Sequence, residues 1–179
     1  MANTSPARIW TMRLAFPALA LLVMFFHLLP LETEPRFWAP PDLLMLLAMA
    51  WSLRRPDFVP ALSIGLVMLL ADLLFQRPPG LLALLTVLGC GFLKARAAPH
   101  RESTFASEWL AVALTVTGIS TLNRLVLVLF GVQQAPLGLT VIQAVMTIAA
   151  YPLAVWASQS ILGVRKLSPA EAETLVSRR

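Results

Sequence analysis

Few side chains in this 179-residue sequence are equipped for chemistry. Asp72 and Arg124 stand within apolar runs, His27 and Asp42 stand at the edges of such runs, and Arg77 lies just beyond Asp72. A charge in hydrocarbon costs at least about 2.5–3.5 kcal/mol unless it is paired or hydrated. Asp72 therefore needs a partner. Arg124 on another helix is one candidate, Arg77 is a second, and headgroup water is a third; the sequence leaves the choice open. Asp42 follows Pro40-Pro41 and is placed to cap a helix N-terminus, where a carboxylate satisfies free amides and complements the dipole. His27 reads as an interfacial residue rather than a metal ligand. The single cysteine, Cys90, has no intrachain partner and reads as a small packing residue. Nucleotide-binding GxxxxGK[ST], zinc-binding HExxH and a usable Ser/His/Asp grouping are all missing. "GCG" at 89–91 ends an apolar helix, a poor place for a phosphate cradle. The expectation is a non-enzymatic protein with no metal and no cofactor.

The elements that must hold these residues are membrane helices. Hydrophobic residues make up 58% of the chain and charged residues only 13%, too little polar surface for a soluble domain of this size. Apolar segments run at about 12–29, 41–53, 59–75, 79–93, 109–130 and 139–164, which predicts an all-α integral membrane protein with six crossings. The uncharged run from Leu125 to Val164 is split by turn residues in "GVQQAPLG". No small-x-small cleavage site follows the first segment, so it reads as a retained helix rather than a signal peptide. The second and fourth helices are short for a hydrocarbon core of about 30 Å. Local thinning of the membrane or shielding by longer neighbours would accommodate them. One transmembrane domain, 1–164, is expected, with a cytoplasmic tail at 165–179. In the tail, Ser168-Pro169-Ala170-Glu171 makes a capping box for a surface helix at about 169–177.

Charge sets the expected orientation. With the N-terminus inside, Arg8, Arg13, Arg54, Arg55, Lys94, Arg96, Arg101, Arg165, Lys166, Arg178 and Arg179 are cytoplasmic, and only Arg36 and Arg77 fall in outer loops. That asymmetry puts both termini in the cytoplasm, and it accounts for the net charge of +5 without invoking nucleic acid. Trp10, Trp51 and Trp109 then fall near the inner interface and Trp38 near the outer, as an aromatic belt would.

Two polar stripes follow helical spacing. Thr117, Ser120, Thr121 and Arg124 share one face of the fifth helix. Thr140, Gln143, Thr147, Tyr151, Ala154 and Ser158 share a face of the sixth. Between helices in lipid, close packing and hydrogen bonds replace the hydrophobic drive. Both stripes should therefore meet other helices, within the bundle, on a partner, or in a homo-oligomer.

The stretch 40–84, "PPDLLMLLAMAWSLRRPDFVPALSIGLVMLLADLLFQRPPGLLAL", resembles the MreD family of bacterial rod shape-determining membrane proteins, most closely its alphaproteobacterial branch. The matching positions are Pro41, Asp42, Leu43 and Leu44 at a helix start, Arg55 and Pro56 at a turn, Gly65 within the next helix, Asp72, Leu73 and Leu74 at its end, and Gly80 before the helix that follows. The resemblance implies a scaffold of the elongasome in the bacterial inner membrane. Its implied partners are MreC, together with MreB, RodA and its penicillin-binding transpeptidase, in lateral peptidoglycan synthesis. It also implies a fold similar to the substrate-binding subunits of energy-coupling-factor vitamin transporters, which makes a small-molecule-binding transporter subunit the alternative. Such subunits commonly carry an Ala-x-x-x-Ala pair on the first helix. Here Ala15 is followed four residues on by Leu19, so that pattern is missing.

Overall fold

The computed structural model of the protein describes residues 6–29, 38–96 and 104–163. The described residues form six α-helices: α1 (Pro6–Leu28), α2 (Leu43–Arg54), α3 (Ala61–Leu74), α4 (Leu81–Arg96), α5 (Phe105–Leu129) and α6 (Leu137–Leu162). A 3₁₀ turn at Pro56–Phe58 joins α2 to α3. The surface helix expected at 169–177 and most of the polar connection after α4 lie outside the described residues. Three helices, α1, α5 and α6, are long and apolar enough to cross a membrane. α2 and α3 are shorter apolar helices of 12 and 14 residues.

α2 is the centre of the bundle. It is apolar on every face as far as Trp51, and a helix of that kind belongs inside. All of its residues except Leu43 and Leu53 are buried, with α4 and α6 packed on two sides. A helix wrapped by longer ones need not match the hydrocarbon thickness. This burial corrects one expectation: Trp51 is not an interfacial residue. It is fully buried, its ring lies 5.8 Å from that of Phe16 on α1, and its indole N–H donates to Ser158 Oγ at 3.1 Å. Trp10 and Trp38 remain exposed.

Two local devices set how the long helices pack. Pro152 within α6 has no N–H to offer the carbonyl of Ile148, four residues before it. Trp109 of α5 supplies the missing donor, its indole N–H reaching Ile148 O at 2.9 Å. α4 meets α5 at Gly89, where an added Cβ would lie 2.8 Å from both Thr115 Cγ2 and Ile119 Cδ1. The first glycine of "GCG" is a helix contact.

Candidate functional site

The end of the bundle at which α2 begins gathers the polar residues the sequence singles out. α3 ends there in a Schellman turn: the Arg77 amide donates to Asp72 O at 2.9 Å, and Gln76 takes the left-handed conformation at φ 54°. The Asp72 side chain is fully buried and turns toward the next helix. Its Oδ2 accepts from the Gly80 amide at 3.0 Å and the Ala83 amide at 3.4 Å. These are N-terminal amides of α4, which have no partner within their own helix. Gly80, at φ 91°, has no side chain with which to cap. Asp72 on α3 thus performs the N-cap function for α4.

Arg124 serves a different joint. Its guanidinium donates to Ala135 O at 3.1 Å and Thr140 Oγ1 at 2.8 Å, while the Gln134 amide returns a bond to Arg124 O at 3.2 Å. The α5–α6 turn is closed by these contacts. Neither candidate ion pair for Asp72 forms, with Arg124 or with Arg77, among the described residues. Each charge is instead met at a helix joint, Asp72 by backbone amides and Arg124 by a carbonyl and a hydroxyl.

Arg77 pairs instead with Asp42. Asp42 Oδ1 caps α2 by accepting from the Met45 amide at 3.0 Å, and Oδ2 lies 3.4 Å from Arg77 Nη1. Phe75 steadies the arrangement, with the Arg77 guanidinium 5.2 Å above its ring and the His27 ring 4.5 Å away. The pair opens onto a cavity of ≈ 320 Å³, walled by Val23, Phe26 and His27 of α1, Pro40, Pro41 and Leu44 around the start of α2, Phe75, and Gln143 of α6.

The stripe on α6 turns inward. Thr147 Oγ1 accepts from the Asp42 amide at 2.9 Å and donates to Gln143 O, Ser158 accepts from Trp51 and donates to Ala154 O, and Thr140 accepts from Arg124. These residues join α6 to α2 and to the end of α5. On α5 the picture differs, since Thr117 and Thr121 are exposed on the bundle surface.

A second polar cluster lies toward the other end, where α2 finishes, and its charges are the ones sequence reasoning missed. Arg54 Nε donates to Glu108 Oε1 at 3.1 Å, and the Tyr151 hydroxyl donates to the same oxygen at 2.6 Å. All three side chains are buried, and Phe105 stacks on Tyr151 with ring centroids 6.3 Å apart. α2, α5 and α6 are locked together by one carboxylate. Arg54 reads in sequence as a topology charge, and Glu108 stands just before the apolar segment at 109–130. The available signal is Tyr151, the only tyrosine, in mid-helix with a hydroxyl that needs a partner. Nearby, Arg13 donates to Asp57 O at 3.0 Å and Lys94 donates to Val59 O, tying α1 and α4 to the α2–α3 connection.

The two clusters are helix joints and a cavity, and their carboxylates are held by backbone amides, a hydroxyl or a guanidinium. Compared with family models, curated proteins and solved structures, the chain finds no match in any of the three.

Proposed function

We propose that the protein is a non-enzymatic scaffold of the bacterial elongasome, an MreD-like inner-membrane protein that binds MreC and supports lateral peptidoglycan synthesis. The observation that carries this reading is how the resembling residues are used. Asp42 caps α2, Asp72 caps α4 across the α3–α4 turn, and Gly80 supplies the left-handed residue at that turn. A motif whose two acids both cap helices specifies a shape, as a scaffold needs. In this reading all six helices cross the membrane, largely buried α2 included, with both termini cytoplasmic and the Asp42 end facing outward. MreC docks on a lateral face, with MreB, RodA and its transpeptidase in the same assembly.

The test is mild-detergent affinity purification of the tagged protein from its native membrane, read by mass spectrometry. Recovery of an MreC-like protein supports the scaffold. Recovery of paired ATPases with a coupling subunit overturns it in favour of the transporter subunit, for which the cavity beside Asp42 and Arg77 would be the substrate site.

A further inference from the structure

The cavity at the Asp42 end is left unused by the scaffold reading. Its volume of ≈ 320 Å³ lies within the range of small-ligand sites, roughly 300–1,000 Å³. Two opposite charges open onto it side by side, at a separation of 3.4 Å. One wall belongs to α1, a helix long and apolar enough to span a membrane, and Phe26 of that wall is exposed on the bundle surface. The mouth of the cavity therefore adjoins apolar surface that α1 presents to its surroundings.

The charges restrict what fits. Among the described residues Arg77 commits one donor, at the long end of hydrogen-bond range, and the rest of its planar fork suits a phosphate. Asp42 Oδ1 is held by the Met45 amide, whereas Oδ2, among the described residues, meets the distant guanidinium alone. A simple anion on Arg77 would lie against the Asp42 carboxylate. A simple cation on Asp42 would lie against Arg77. A ligand carrying both charges completes a ring of alternating sign. We propose that the cavity binds the phosphoethanolamine headgroup of a zwitterionic phospholipid, with its phosphate on Arg77, its ammonium on Asp42 Oδ2, and its acyl chains leaving past Val23 and Phe26 along α1. A primary ammonium has N–H donors for the carboxylate, and a choline head has none. This assignment is independent of which partner the scaffold recruits.

Native mass spectrometry of the purified full chain tests it, with titration of phosphatidylethanolamine, phosphatidylglycerol and phosphatidylcholine of matched acyl chains, and of soluble O-phosphoethanolamine. The wild type should retain phosphatidylethanolamine at about tenfold lower concentration than the other two lipids. Asp42→Asn keeps the capping oxygen and removes the charge, so it should reverse the ranking in favour of phosphatidylglycerol. Arg77→Gln should lose retention of both. Equal retention of the three lipids by the wild type overturns the proposal, and that comparison stands even if a variant fails to fold. An unchanged ranking in folded Asp42→Asn overturns it too. Occupancy by soluble O-phosphoethanolamine at the concentration of the lipid would overturn the lipid source.

Discussion

The bundle carries an Arg–carboxylate pair toward each end, and the two are built in opposite ways. Arg54 and Glu108 meet at 3.1 Å with side chains only 7% and 4% exposed, and Tyr151 adds a third partner. Arg77 and Asp42 meet at 3.4 Å with exposures of 31% and 10%, beside a cavity. The first pair joins three helices through one oxygen, so its loss strands a charge where water cannot reach it. The second is longer and more exposed. Burial separates a clamp from a looser pair beside a cavity, although both join a guanidinium to a carboxylate.

Removing the clamp should cost most. Glu108→Ala leaves Arg54 buried without a counter-charge, and breaking such a pair costs about 3–5 kcal/mol. A fall in the melting temperature of the detergent-solubilised protein reads this. A drop no larger than that of an Arg77→Gln control would erase the contrast between the two ends. Asp72→Ala comes next. It orphans the Gly80 and Ala83 amides, at about 1–3 kcal/mol for an unsatisfied buried group. Asp72→Asn, whose carbonyl still accepts, should retain most of the stability. If Asn and Ala are equally damaging, charge rather than capping is what Asp72 contributes.

Tyr151→Phe deletes one bond to a charged group, about 1.5–3 kcal/mol, and in a double-mutant cycle it should couple to Glu108→Ala. By contrast, Asp72→Asn and Arg124→Gln should add within about 0.3–0.5 kcal/mol, because they hold different joints. Coupling beyond that would restore the interhelical ion pair. The smallest loss is expected at the cavity. Arg77→Gln should change stability by about 0–1 kcal/mol, and added salt should diminish even that. Salt should leave the Glu108 effect nearly unchanged.

Parts of this architecture were legible in the residues alone. Apolar run lengths located all six helices to within a few residues, except that α1 begins earlier, at Pro6. The Asp42 cap could be read from its place behind two prolines, because capping is local. The inward turn of the α6 stripe was one of the open readings, and periodicity marks a face without naming its neighbour. Asp72 was legible as a structural residue, but its partners were not. They are two backbone amides, and every residue has one, so no side-chain type points to them. The Arg54–Glu108–Tyr151 clamp was hidden for a related reason. Its members are 43 to 97 positions apart in sequence, and the two charges resemble ordinary loop residues at helix ends.

By itself the sequence determined the helical character of the described residues and the approximate ends of their six helices, because hydrophobic periodicity, prolines and caps act within a few residues. Tertiary structure alone decided that α2 is the sheathed centre and that Trp51 is core rather than interface. It also decided that Asp72 serves α4 and that Arg77 turns to Asp42. These outcomes depend on which buried donor comes nearest which acceptor once helices pack, and a distance in space is not written in any one segment.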